Sequence, residues 1–208
     1  MRIVIAATDS QWEEWPAGDK KVEWIRVADA NAFRENKNAD AFINLKEEEV
    51  FSFYGDLQRP VLINAVTQTL SVMNAPVNVI RINGWPGFLK RSVWEVAGNI
   101  DEAAGKLFGS LDKKITVVAD EPGFISARII TLIINEAYFA TGDKVSSREE
   151  IDTAMKLGTN YPFGPFEWAV AIGPANVLAL LQRLREVDKR YEPAPLLLDE
   201  VTSNVLCD

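Results

Sequence analysis

Apolar residues fall in short runs through the first half of the chain and in helical stripes through the second. Arg2-Ile3-Val4-Ile5-Ala6-Ala7, Val22–Val27, Ala41–Leu45, Pro60–Asn64, Asn78–Ile82 and Lys114–Ala119 each hold a short apolar or alternating run bounded by polar or turn residues, and predict six strands. Weaker helical stretches lie between them. One turn runs from Trp12 to Trp15 before Pro16 and Gly18, and a short helix over 29–36 has Asp29 as its N-cap. An acid-led helix follows over 47–54, then a connection or short helix over 67–73. A helix over 100–111 puts Ala103, Ala104, Leu107 and Phe108 on one face. Strands alternating with short helices predict a mainly parallel α/β sheet over residues 1–119.

After Asp120 the strand signal stops, and residues 120–208 read as an all-α domain. Asp120 can cap and Pro122 can open a helix reaching Ala140, with Ile125, Ile129, Ile130, Leu132, Ile133 and Ile134 spread over more than one face. A helix apolar nearly all round is central to its domain or lies in an interface. Ser146-Ser147-Arg148-Glu149-Glu150 offers a capping box in either register, followed by Ile151, Ala154 and Met155 as a buried edge. From Pro174 to Arg190, Val177, Leu180, Leu181, Leu184 and Val187 recur at spacings of three and four. Glu192–Pro195 ends that helix, and Leu196-Leu197-Leu198 leads the tail.

The most heavily punctuated stretch is Lys156-Leu157-Gly158-Thr159-Asn160-Tyr161-Pro162-Phe163-Gly164-Pro165-Phe166-Glu167-Trp168. Gly158 suits a left-handed C-cap, Pro162 and Pro165 restrict the residues before them, and Pro165 can start a helix. Its aromatic residues are too apolar for a free loop, so the turn should pack on a core.

Composition narrows the function classes. The 208 residues are long enough for a sizeable core, and 48% apolar with 25% charged is ordinary for a globular protein. A net charge of −8 argues against nucleic acid and anionic membrane as partners. Cys207, the single cysteine, supports neither a disulfide framework nor a metal cluster and suits a reducing compartment, so a cytoplasmic protein is expected. No apolar run reaches the length of a membrane span, and Met1–Ala7 lacks the pattern of a signal peptide.

With no histidine in the chain, Ser-His-Asp and Cys-His nucleophiles and most zinc sites are excluded. A pyrophosphate at the first strand-to-helix turn needs glycines so that backbone amides can approach it. Here the turn reads Ala6-Ala7-Thr8-Asp9-Ser10-Gln11-Trp12-Glu13-Glu14, without glycine and with three acids. Asp29, after the second strand, stands where a ribose-binding acid belongs, but a helix cap explains it better. Glu47-Glu48-Glu49 reads as a solvated helix face rather than a metal site, and Asn83-Gly84-Trp85-Pro86-Gly87 as a turn at the sheet's ligand-binding edge. Glu95, between Trp94 and Val96, is either a partly buried carboxylate or an exposed one at a strand end.

Taken together, several words in order resemble one family. Asp120-Glu121-Pro122-Gly123-Phe124-Ile125-Ser126-Ala127-Arg128, Asn135-Glu136-Ala137, Gly142, Ser147–Gly158, Asn160–Glu167 and Arg190–Leu197 are similar to the C-terminal domain of 3-hydroxyacyl-CoA dehydrogenases. Ala39–Ile43, Leu62-Ile63-Asn64, Thr67–Ser71 and Val93-Trp94-Glu95-Val96 resemble the family's N-terminal half more loosely, and residues 1–38 a shrunken remnant of it. The resemblance implies a shortened Rossmann-like sheet followed by the family's helical domain, with dimers formed through C-terminal helices.

It also implies a chemistry: oxidation of the 3-hydroxyl of an acyl-CoA with hydride passed to NAD. A histidine takes the hydroxyl proton, a glutamate orients it, and a serine and an asparagine position the substrate. On this chain the glutamate falls on Glu95, the histidine on Asn83, the serine near Gln68 and the asparagine on Ala127. The expectation is a family member of acyl-CoA metabolism that binds no NAD, has lost catalysis and keeps a binding or regulatory role, with acyl-CoA as partner. The alternatives are an active dehydrogenase with a non-standard site and a structural dimerisation subunit.

Overall fold

The computed structural model describes residues 1–15, 22–46 and 50–205. Pro16, Gly18, Glu47-Glu48-Glu49 and Cys207, each given a role in the sequence reading, lie outside the described residues. The chain forms two compact units, Met1–Phe124 and Ile125–Asp208.

The first unit is a seven-stranded sheet in the order β2-β1-β3-β4-β5-β6-β7. Its strands are β1 (Arg2–Ala6), β2 (Glu23–Val27), β3 (Ala41–Asn44), β4 (Val61–Asn64), β5 (Val79–Ile82), β6 (Val93–Gly98) and β7 (Lys114–Val117). All neighbours are parallel except β5 and β6, which pair antiparallel with Ile80 opposite Gly98 and Ile82 opposite Val96. β6 is the strand that the sequence reading did not assign. Its alternation is broken by Trp94, Val96 and Ala97, all buried.

Buried strands are apolar on both sides, and alternate residues feed two cores. Ile3, Ile5, Ile43, Leu62, Ile80 and Ile82 share one with Trp15, Trp94, Leu107 and Phe108. Val4, Ala6, Phe42, Val61, Ile63 and Val79 share the other with Phe33, Phe53 and Tyr54. Helix α1 (Asp9–Glu14) is held by a capping box between Thr8 and Gln11, and α2 (Glu102–Ser110) by Asp101. The connections after β2 and β3 are single 3-10 segments, Ala30–Glu35 and Ser52–Leu57, and residues 67–73 form turns.

The second unit holds α3 (Ser126–Gly142), α4 (Arg148–Thr159), α5 (Pro165–Ile172), α6 (Pro174–Arg185) and α7 (Pro195–Val205). α3 touches each of the other four. It begins at Ser126, not Pro122, because Asp120 is engaged in the first unit. Buried Asn135 of α3 donates to the Glu192 carbonyl (2.9 Å) and accepts from the Ala194 amide (2.8 Å), fixing the turn into α7.

Gly158 is not the C-cap of α4. The helix runs on to Thr159, and Asn160 takes the left-handed conformation at φ 56°. The buried residue of α4 is Asp152, whereas Ala154 is exposed. Asp152 accepts from the amides of Phe166 (2.8 Å) and Glu167 (3.1 Å), so it caps α5 from outside, where Gly164 has no side chain to do so. A Cβ on Gly164 would lie 2.3 Å from Asp152 Cγ, which explains a glycine there. Pro165 opens α5 as expected, and Phe166 and Trp168 are buried, with Tyr161 and Phe163 against the Trp168 ring.

Candidate functional site

β1, β3, β4 and β5 run in the same direction, so their carboxyl ends and the loops that follow share one edge of the sheet. In sheets of this kind ligands bind at that edge. Side chains knit its loops together. Gln11 Nε2 (2.6 Å) and Asn64 Nδ2 (3.2 Å) both donate to the Leu45 carbonyl. Asn64 Oδ1 accepts from the Gly84 amide (2.9 Å), and Glu14 accepts from the Gly87 amide (2.7 Å). A Cβ on Gly84 would lie 2.7 Å from Asn64 Cγ, so this approach needs glycine.

Asn83 follows β5 directly and is buried. The antiparallel register pairs Ile82, the residue before Asn83, with Val96, the residue after Glu95. Asn83 thus directly follows the strand that pairs with the one carrying Glu95. Asn83 Oδ1 accepts from the Trp85 amide (3.2 Å). A carboxamide donates and accepts hydrogen bonds but neither gains nor loses a proton near neutral pH. Glu95 is half-buried. Its charge acts on Arg91, whose pKa partial burial lowers while Glu95 opposes that shift.

Gln68 lies in the loop after β4, and this loop is anchored by a group that the sequence reading missed. Arg81, in the middle of β5, is 0% exposed. Its Nε donates to the Ala65 carbonyl (2.9 Å), and Nη1 pairs with Asp120 (2.5 Å). Further bonds reach the carbonyls of Val66 (3.3 Å) and Glu121 (3.4 Å), and Phe124 stacks on the guanidinium (4.6 Å). Asp120 in turn accepts from the amides of Leu70 (3.0 Å) and Ser71 (3.2 Å). This is why residues 120–124 belong to the first unit. The signal for Arg81 was a lone cation inside the apolar run Val79–Ile82, a position that a buried strand fills only when the charge is fully partnered.

The remaining assigned positions are Asp29 and Ala127. Asp29 caps the 3-10 segment after β2 by accepting from the Asn31 amide (2.8 Å). Ala127 is buried in the first turn of α3, in the second unit. Among the described residues no group of three or more His, Cys, Asp or Glu could hold a metal ion.

A dinucleotide would have to meet the turn between β1 and α1. The Thr8 amide there is engaged by Gln11 Oε1 (2.9 Å), and the Gln11 amide by Thr8 Oγ1 (3.2 Å). Asp9, at the first position of α1, pairs with Arg26 (2.6 Å), which also donates to the Ala7 carbonyl (3.0 Å). Two of the turn's amide donors are spent within it, and the Asp9 carboxylate stands at the helix end that phosphate charge would need. These residues do not fit a pyrophosphate held in the usual way.

Residues 123–206 match the family model of the 3-hydroxyacyl-CoA dehydrogenase C-terminal domain. A 3-hydroxyadipyl-CoA dehydrogenase of Escherichia coli (strain K12) is 41% identical over 106 residues, 49% of this chain and 22% of that protein. A 3-hydroxybutyryl-CoA dehydrogenase of Clostridioides difficile is 29% identical over 214 residues, 93% of this chain and 76% of that one. The chain thus spans less than a quarter of the first relative's length. The crystal structure of (S)-3-hydroxybutyryl-CoA dehydrogenase PaaH1 from Ralstonia eutropha shares the fold, with a TM-score of 0.72 at 20% identity over 98% of this chain and 94% of that one. Residues 123–206 thus carry the C-terminal domain of the 3-hydroxyacyl-CoA dehydrogenases, and the whole chain shares the fold of a 3-hydroxybutyryl-CoA dehydrogenase.

Proposed function

We propose that this protein no longer oxidises a 3-hydroxyacyl-CoA or binds NAD, and that it acts in fatty-acid metabolism by binding acyl-CoA esters, in a binding or regulatory role. What carries the reading is Asn83 at the position that the family's spacing gives to the base, in a chain without histidine. Loss of a general base alone typically costs ~10²–10⁴-fold in rate. The glycine-free turn of Thr8, Asp9 and Gln11 supports loss of the hydride carrier as well.

Two copies are proposed to pair through the start of α3, where Ile125, the residue before the helix, and Ile129 are 52% and 50% exposed. A cytoplasmic location fits a protein in which no described helix is long and apolar enough to cross a membrane. One feature favours a second reading, an active dehydrogenase with a different base: Glu95 is a carboxylate retained in place.

Mixing the protein with NADH and acetoacetyl-CoA and following nicotinamide absorbance decides between the two. No turnover is expected, from the protein itself or from Asn83→His. Measurable turnover by the unaltered protein would overturn the proposal. A thermal-shift comparison of NAD with acyl-CoA esters tests the binding role, since a ligand at 100 times its Kd adds about 2.7 kcal/mol. A shift with acyl-CoA and none with NAD is expected. No shift with any acyl-CoA would instead favour a purely structural subunit.

A further inference from the structure

Two of the crossovers cover the sheet thinly. A doubly wound sheet usually covers each face with full helices, but the connections after β2 and β3 contribute only the six-residue 3-10 segments Ala30–Glu35 and Ser52–Leu57. Phe33, Phe53 and Tyr54 seal the core beneath them. Between the segments lies a pocket of about 670 Å³, lined by Arg34, Lys37, Ser52, Phe53, Asp56 and Leu57. That volume is within the range of small-molecule sites.

The lining carries an unbalanced charge. Arg34 and Lys37 share the pocket in a chain of net charge −8, yet among the described residues neither forms an ion pair or a hydrogen bond through its side chain. Arg34 lies over the Phe53 ring, 4.2 Å from its centroid. Stacking uses the face of a guanidinium and leaves the N–H donors in its plane uncommitted. A fixed guanidinium, a mobile ammonium and the Ser52 hydroxyl are the donor set that recognises phosphate oxygens. Asp56 lines the same pocket and repels an anion, but it would accept from a hydroxyl on the same ligand. Leu57 offers an apolar side.

We infer that this pocket binds a phosphate monoester carrying free hydroxyl groups, a sugar phosphate or a nucleoside monophosphate. The inference is independent of what the edge around Asn83 does. Isothermal titration of the full chain with inorganic phosphate, ribose 5-phosphate and adenosine 5′-monophosphate distinguishes the sources. Saturable binding of at least one organic phosphate is expected, tighter than inorganic phosphate and weakened by salt.

The double variant Arg34→Gln/Lys37→Gln should lose at least tenfold in affinity. Because Arg34 covers Phe53, Lys37→Gln alone serves as a variant that keeps the stack, with a loss of several-fold expected. Asp56→Asn should narrow the gap between inorganic phosphate and ribose 5-phosphate. No saturable binding of any of the three, or affinity unchanged in Lys37→Gln and in the double variant, would overturn the inference.

Discussion

Exchanging Arg81 for methionine keeps most of the side chain's length and removes its charge and donors. Four groups then lose a partner: the carbonyls of Ala65, Val66 and Glu121 and the Asp120 carboxylate. Removing one partner of a buried ion pair costs about 3–5 kcal/mol, against roughly 5–15 kcal/mol for a whole domain. Five of the six tryptophans, Trp12, Trp15, Trp24, Trp85 and Trp94, lie in the first unit, so urea unfolding followed by tryptophan fluorescence reports on that unit. With a urea slope of roughly 1–3 kcal/mol per molar, the midpoint should fall by about 1–5 M. Asp120→Asn should cost less, since it keeps one acceptor for the amides of Leu70 and Ser71. The double variant should cost less than the sum of the two, because the second change removes a group already orphaned. A loss below 1 kcal/mol for Arg81→Met, or strict additivity with Asp120→Asn, would refute the role given to this pair.

Two further expectations concern the helical unit. Gly164→Ala drives its Cβ to 2.3 Å from Asp152 and should destabilise by about 1–3 kcal/mol, but by under about 1 kcal/mol when Asp152→Ala has already cleared the space; equal costs in the two backgrounds would refute the contact. Tyr138, buried and bonded to Glu200 (3.1 Å), has its hydroxyl pKa raised above the ordinary value of 10.0, first by burial and then by the Glu200 charge. The unfolded chain deprotonates first, so this stability is complete below about pH 10 and is lost as pH rises further. An alkaline stability scan should show that loss, and Tyr138→Phe should flatten it at the cost of about 1 kcal/mol at neutral pH.

Most strands were legible because a buried parallel strand needs an uninterrupted apolar run, as in Ile3-Val4-Ile5 and Val61-Leu62-Ile63. β6 was not, since Ser92, Val93 and Glu95 dilute its pattern and its antiparallel pairing with β5 leaves no local mark. The start of α3 was misplaced for a related reason. Asp120 has the composition of a cap, but its carboxylate serves Arg81, 39 residues away, and sequence spacing does not encode that pairing. Asp152 was hidden among the acids of an amphipathic helix, where only Gly164 on a distant turn reveals why it is buried. Of the candidate site, Asn83 and Glu95 came from family spacing alone; Asn83 directly follows β5 and Glu95 lies in β6, the strand paired with it. Asn64, Gln11 and Glu14 act through loop carbonyls and amides and carry no motif.

The reversed strand also bears on the order in which the sheet assembles. β5 and β6 are joined by residues 83–92 alone, whereas every parallel pair awaits a crossover that closes a longer loop. The segment from Val79 to Val117 is therefore expected to gather first, with β1 to β4 added afterwards. Conservative truncations at Ile80 and Val96 should slow folding, while those at Ile3 and Ile43 should mainly speed unfolding. On that view the hairpin flanked by Asn83 and Glu95 is the nucleus of the fold whatever chemistry it performs, and a change at buried Asn83 is expected to act on the folding rate as well as on any site.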